Sequence, residues 1–279
     1  MGLTLTPSSF DTPIGRISRG VFYVYCACVF LFLIVPIVTV VPLSFSSDSF
    51  LIYPIPSFSL RWYEDFFTSP HWLPALMNSL LVAAATTLIA TPLGTFAALG
   101  LVRMEVRWRP LFVSLLIAPM IVPGIITAIG IYFVYAPLGL TNNYAGLILA
   151  HTVLAAPFVV IVVLAALEGF DPNVIRAGAS LGAPPLTVFF RIVLPLILPA
   201  VIAGAVFAFA TSFDEIIMAI FLAGPEQRTL PLQMFDGLRE RISPTITAAA
   251  TLLIVVSILL LTTVELLRRR SRQKLTAAR

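Results

Sequence analysis

The chain has 279 residues, of which 59% are hydrophobic and only 11% charged, and a formal net charge of +4. A mean hydropathy of +1.02 excludes a water-soluble globular protein and intrinsic disorder alike, which leaves a polytopic membrane protein. The basic residues fall in short clusters between apolar runs rather than along one face, so they read as membrane topology and no nucleic-acid partner is expected.

Six apolar runs follow in chain order: Phe22 to Ser44, Pro74 to Val102, Pro110 to Val134, Ala145 to Leu167, Leu196 to Ala223 and Ile246 to Leu267. Each is near the roughly 20 residues that ~30 Å of hydrocarbon requires at ~1.5 Å per helical residue. The expected fold is therefore all-α, with six transmembrane helices. The first run follows Arg16 and Arg19 as a signal peptide would, but it is too long and lacks a small-residue cleavage site, so it should stay attached as an anchor. Cys26 and Cys28, two apart within it, point to different sides of a helix and cannot bridge each other.

Orientation follows from the loops, because cytoplasmic loops carry the excess of Lys and Arg. With the amino terminus inside, thirteen of the seventeen basic residues lie on that side: Arg16 and Arg19, then Arg103, Arg107 and Arg109, then Arg176 and Arg191, then six from Arg268 to Arg279. Arg61, Arg228, Arg239 and Arg241 fall outside. Residues 1–21 and the basic tail 268–279 are expected in the cytoplasm. The outer loop from Phe45 to Leu73 and the inner loop from Glu168 to Pro195 are long, and long loops concentrate function.

Enzyme signatures are poorly supported. Lys274 is the only lysine and has Gln273 and Leu275 beside it, so no Gly-Lys-Ser/Thr phosphate loop exists and any ATP must be bound by a partner. Gly178-Ala179-Ser180-Leu181-Gly182 fits G-x-S-x-G, but that elbow needs a preceding strand and a histidine within reach. Here a helix start precedes the serine, and His71 and His151 both fall toward the opposite membrane face. The two histidines are too far apart in sequence for a helical zinc pair, and no metal site is expected. His71 is placed at the interface, and His151 is expected to hydrogen-bond within the bundle.

In the inner loop, Asp171 then Pro172 reads as an N-cap with a first-turn proline, and Gly182 then Pro184-Pro185 as a helix stop. That predicts a short helix from Pro172 to Leu181. Val174, Ala177, Gly178 and Leu181 fall on one stripe of mostly small apolar residues, which suits docking on another protein or folding back on the chain's own spans.

The order Arg176-Ala177-Gly178, Gly182, nine residues, then Ile192-Val193-Leu194-Pro195 resembles the EAA loop of binding-protein-dependent ABC importer permeases. Arg176 stands where that family usually has Glu, and Gly178 where it has Ala. Asn78-Ser79-Leu80 resembles the opening of the MetI-like permease core, which would run from about Ala75 to Val264. Ser212-Phe213-Asp214-Glu215, Phe221 to Pro225, Thr229 to Leu232 and Phe58 to Tyr63 are similar to the spermidine/putrescine branch. The resemblance implies a type I importer fold and a permease that is not itself an enzyme, in a bacterial inner membrane. It also implies a second, non-identical permease, two ATPase subunits that bind the ATP, and a periplasmic binding protein. Asp171, Arg176, Ala177, Gly178, Leu181, Gly182, Ile192, Leu194 and Pro195 would form the ATPase-coupling loop, and the cargo would be a polyamine or related organic cation. Permeases for iron, thiamine or phosphonate share the framework and remain alternatives; a self-sufficient carrier or channel would need no coupling loop.

Asp214 and Glu215 are expected inside the fifth span, where each ionised carboxylate costs about 2.5 to 3.5 kcal/mol by insertion scales and must face protein or water. Glu215 falls near the line of the small residues Ala200, Gly204 and Ala208, and Asp214 near Phe207 and Met218. Ser212, Asp214 and Glu215 are the candidates for the substrate pathway; the phase favours Asp214 and allows Glu215 a structural role, with buried hydrogen bonding that fixes helix packing as the alternative for the pair. Trp62 and Tyr63, next to Glu64 and Asp65, could meet an ammonium group by cation-π attraction, against the alternative of an interfacial aromatic belt. Pro92, Pro119, Pro123 and Pro157 are expected as kinks within spans.

Overall fold

Twelve α-helices organise the described residues of this computed structural model, which are 13–169, 171–240 and 243–277. They are α1 (Pro13–Leu43), α2 (Arg61–Thr68), α3 (Trp72–Arg103), α4 (Arg109–Ile121), α5 (Gly124–Tyr135) and α6 (Tyr144–Glu168). Then come α7 (Pro172–Ser180), α8 (Pro185–Val188), α9 (Leu194–Phe213), α10 (Ile217–Leu222), α11 (Leu230–Glu240) and α12 (Thr245–Ala277). Arg241, Arg279 and residues 1–12 of the expected amino-terminal segment lie outside the described residues, as do the side chains of Arg268 to Lys274.

Helices α3, α6 and α9 form the centre. They approach closely because small residues meet one valine: a Cβ on Gly94 of α3 would lie 2.6 Å from Val159 Cβ, and one on Gly204 of α9 would lie 3.2 Å from Val159 Cα. Val159 itself is wholly buried on α6. Lipid tails are as apolar as leucine, so helix association in a bilayer relies on such van der Waals contact between small-residue faces. The expected packing face of α9 is thus in use, with Gly204 and Ala208 both buried. Helix α1 is different, since none of its apolar window is buried inside the chain; that surface is left for lipid or another subunit.

Among the described residues, four helices are long and apolar enough to cross a membrane, and α4 with α5 makes a fifth span if the bent pair counts as one. The expected sixth span is α12, whose described apolar stretch is Thr245–Leu259. Three expectations need correction. The third run is not one helix, because α4 and α5 meet at 100°: Pro123 has no N–H to give, and it drives Val122 to extended backbone (φ −68°, ψ 133°). The fifth span begins earlier than Leu196, at Pro185, through a five-residue π turn at Phe189–Val193. Pro195 supplies no N–H there, and the wider turn, closed by Leu194 N–H donating to Phe189 O, accommodates the misfit. The same span ends at Phe213 rather than continuing to Ala223. Helices α3 and α6 run on through Pro92 and Pro157.

The start of α3, the start of α6 and the segment after α10 are tied together at one end of the bundle. Asn78 Nδ2 donates to the carbonyls of Glu226 (2.8 Å) and Arg228 (2.9 Å), and Leu230 N–H donates to Ser79 Oγ (2.8 Å). Tyr144 Oη lies 2.8 Å from Asn78 Oδ1 and 3.0 Å from Glu226 O. At the other end an ion pair joins Arg109, opening α4, to Glu168, closing α6.

Candidate functional site

Helix α7 is set up by its own sequence. Asp171 caps it, accepting from Asn173 N–H at 2.9 Å, with Pro172 in the first turn where its missing N–H costs nothing. It ends at Ser180, one residue short of the expectation, and Gly182 turns the chain at φ +79°, a region that only glycine enters without strain. The apolar stripe divides between the two roles it was given. Gly178 is buried, and a Cβ there would lie 2.7 Å from Ile192 Cδ1, so this side folds back on the π turn. Val174, Ala177 and Leu181 face outward, Leu181 with 88% of its surface exposed. Arg176 is exposed and reaches Asn173 Oδ1 at 3.5 Å, while Leu194 and Pro195 open α9. Ser180 sits at a helix end with its hydroxyl donating to Arg176 O, which is not the geometry of a nucleophile elbow.

The second arrangement lies within the bundle. Gly124, the first residue of α5, is so close to α10 that a Cβ on it would lie 2.9 Å from Ile217 Cδ1. The break at Val122-Pro123 therefore rests against the break between α9 and α10. Ser212 fixes the depth of both: its hydroxyl lies 2.9 Å from His151 Nδ1, with both residues buried, and His151 is seven residues or ~10 Å of helix from Tyr144 at the tied end. His151 thus bonds within the bundle as expected, and its Nε2 has no partner among the described residues. Helices interrupted at membrane depth, with their ends facing a cavity, are the usual material of transport sites.

Asp214 and Glu215 occupy the α9–α10 break rather than a continuous helix, so the ~100° phase argument for separating them does not apply. They are separated by chemistry instead. Glu215 Oε1 accepts from Ile217 N–H (2.7 Å) and Met218 N–H (3.1 Å), capping α10. Asp214 closes α9; it is exposed, and its carboxylate makes no hydrogen bond or ion pair among the described residues. The negative end of the α9 dipole points to the same place, and Phe209 and Phe213 stack on its last turns with centroids 5.6 Å apart. The carboxylate and the helix end make a locally negative spot, chemically suited to a cation.

Trp62 and Tyr63 lie elsewhere. The indole N–H donates to Ser46 O (2.7 Å), the Arg61 guanidinium stands 4.1 Å over the Trp62 ring, and Tyr63 Oη lies 2.7 Å from Ser44 Oγ. Together they fasten α2 to the end of α1, and none of these contacts reaches the Asp214 break. The sequence predicts a kink at Pro123 but not a break of 100°, predicts a hydrogen bond for His151 without naming Ser212, and misses the break after Phe213, for which the helix-poor Ser212-Phe213-Asp214 was the available signal.

Comparison with known proteins settles the lineage. The family model of the binding-protein-dependent transport system inner membrane component matches residues 90–277. The chain belongs to this family. It is 32% identical over 237 residues to the spermidine/putrescine transport system permease protein PotC of Escherichia coli K12, covering 85% of this chain and 88% of that one. It is 34% identical over 228 residues to the putrescine transport system permease protein PotI of the same strain, covering 79% and 81%. Among solved structures, it is similar to a chain of a bacterial alginate ABC transporter in complex with a periplasmic protein bound to alginate pentasaccharide. That likeness has a TM-score of 0.68 at 18% identity, covers 91% of this chain and 96% of the other, and bears on the fold alone. Membership makes the chain a multi-pass membrane permease, with ATP hydrolysis belonging to a separate subunit.

Proposed function

We propose that this chain is one of two non-identical permease subunits of an ATP-driven importer in the bacterial inner membrane, with both termini in the cytoplasm. A periplasmic binding protein delivers a polyamine or related small organic cation, and two cytoplasmic ATPases bind the ATP. The relatives named for spermidine and putrescine transport support the cargo. The observation that carries the reading within this chain is Asp214, an exposed carboxylate with no partner among the described residues, at the helix break two residues beyond Ser212, whose partner His151 lies ~10 Å along α6 from the tied end. An ionisable group at such depth without a structural partner is expected to serve the transported ion.

The coupling surface in this reading is the outward side of α7, where Val174, Ala177 and Leu181 meet an ATPase. ATPase closure displaces α7, and the buried contact of Gly178 with Ile192 passes that displacement to α9. The spans then rock between inward-open and outward-open states. Arg176 sits exposed on α7 and offers the ATPase a positive contact.

The test is uptake of labelled spermidine and putrescine by the reconstituted transporter. Asp214→Asn keeps the shape and removes the charge, so uptake per assembled complex should fall about tenfold to a hundredfold, the equivalent of 1 to 3 kcal/mol for a lost charged contact. Full uptake by Asp214→Asn would remove the carboxylate from the pathway. Uptake of iron, thiamine or phosphonate in place of the amines would overturn the cargo while leaving the permease role intact.

A further inference from the structure

Behind α7, on the side away from its outward face, lies a cavity of about 960 Å³ between the ends of α3 and α6 and the return segment α8. That is at the upper end of the size range for small-ligand sites. Its wall is almost entirely apolar, and two of its members are conspicuously open, Phe96 at 62% exposed and Leu186 at 72%. Phe189 completes that side, its ring 6.4 Å from that of Phe96. The charged members are Arg103, Arg109 and Glu168. Arg109 and Glu168 neutralise each other in an ion pair, whereas exposed Arg103 has no hydrogen bond or ion pair among the described residues. The cavity is thus an apolar slot with one uncompensated cation at its rim.

Depth decides what fits. Phe96 precedes Arg103 by seven residues on α3, so the slot runs ~10 Å along the span from the arginine toward the hydrocarbon. A soluble ATPase seated on the outward face of α7 reaches the headgroup level but not that depth. A molecule with an anionic head and an apolar tail matches both parts, and basic pockets between spans are known to take phospholipid headgroups. We propose that this cavity holds an anionic phospholipid, its phosphate on Arg103 and its acyl chain along Phe96, Leu186 and Phe189. The lipid then packs between α7 and the spans α7 has to move, which makes ATPase coupling depend on anionic lipid. The inference rests on α7 being the cytoplasmic coupling helix, but not on which solute is carried.

The intact transporter, with its ATPases, is purified in wild-type form and as Arg103→Gln, Arg103→Lys and Gly100→Leu. Gly100 lines the cavity, and a Cβ there meets nothing within 4 Å, so leucine fills the slot without displacing the protein and favours the helix. Native mass spectrometry measures retained phosphatidylglycerol against phosphatidylcholine, and substrate-stimulated ATPase activity is read in nanodiscs with and without phosphatidylglycerol. Wild type and Arg103→Lys should retain phosphatidylglycerol selectively. Arg103→Gln should bind it about fivefold more weakly, the factor of one cation at an anionic surface, and Gly100→Leu should exclude it, with stimulation falling in parallel. Equal retention by all four forms, or no preference for the anionic lipid in wild type, overturns the proposal. Loss of the ATPase from Gly100→Leu with lipid retention unchanged assigns the slot to a protein partner and overturns it equally. Selective retention without any amine-stimulated activity upholds the lipid site while refuting the proposed cargo.

Discussion

Glu215 gives the sharpest separation between a structural and a transport role. Its Oε1 accepts from the first free N–H groups of α10, at 2.7 and 3.1 Å. That helix is only six residues long, too short to persist without tertiary support. Its Met218, Ala219 and Leu222 are nevertheless fully buried, so the cap holds a core element in place. Hydrogen bonds to a charged acceptor contribute about 1.5 kcal/mol each at the low end, which suits a half-buried site, so Glu215→Ala should destabilise α10 by about 3 kcal/mol. That corresponds to roughly a hundredfold more frequent opening. Glu215→Gln keeps a carbonyl in the same place and loses only the charge assistance, about half the strength of each bond. Hydrogen–deuterium exchange of the segment 217–222 in reconstituted complex should therefore quicken strongly in Glu215→Ala and modestly in Glu215→Gln, while uptake per folded complex stays close to wild type in Glu215→Gln. Unchanged exchange in Glu215→Gln together with abolished uptake would refute the capping argument and place this carboxylate, too, in the path of the cation.

Gly182→Leu forces a side chain onto φ +79°, a strain of about 1 to 2 kcal/mol; amine uptake and substrate-stimulated ATPase activity should both drop while membrane insertion persists, and normal coupling would exclude this turn from transmission. Gly94→Ala places a Cβ 2.6 Å from Val159 Cβ and should lower thermal stability in detergent by the equivalent of about 1 to 3 kcal/mol; an unchanged melting temperature would show that α3 and α6 do not approach this closely. A reporter fused after Arg279 should be cytoplasmic and one inserted near Ser47 or Gln227 periplasmic, as the distribution of basic residues requires; a periplasmic carboxyl terminus would reverse every assignment of sides.

Local chemistry was legible wherever it was self-contained. Asp171, Pro172 and Gly182 announce a capped helix and its stop without reference to any other segment, and the structure has both. Apolar run length located the spans but not their continuity, because hydropathy is the same on both sides of a break. Pro92, Pro123 and Pro157 look alike in sequence, yet only Pro123 ends a helix. What distinguishes it is Gly124 immediately after, which lets α10 press against the bend. The helical phase assigned to Asp214 and Glu215 failed for a related reason: Glu215 takes the backbone donors of α10 for itself, and a side chain that competes for backbone groups favours a cap over a helix interior. Asn78 and Ser79 carry only a family resemblance in the sequence. Their use, tying the start of α3 to segments some 150 residues away, depends on tertiary contacts that no local pattern contains.

Helix α9 joins the two arrangements. Its 20 residues span ~30 Å, with the π turn and Ile192 leading into one end and Ser212 and Asp214 at the other. Its middle is clamped, Gly204 against Val159, on the Asp214 side of Pro199, whose missing N–H weakens the ladder before the clamp. Compliance sits at the two ends. The π turn is a place where a helix can change its hydrogen-bond register, and among the described residues the far end has one side-chain hydrogen bond to another helix, Ser212 to His151, worth about 1 kcal/mol, beside the buried ring of Phe213. In the proposed cycle a push on α7 through Gly178 enters α9 by its π-turn end and moves the clamped stretch beyond Pro199 together. In that cycle the motion emerges at Asp214, whose carboxylate has no partner among the described residues that would have to be broken first. A helix continuous through Asp214 would carry the same push past the carboxylate to the far end of the bundle; ending it there delivers the displacement at the proposed cation site.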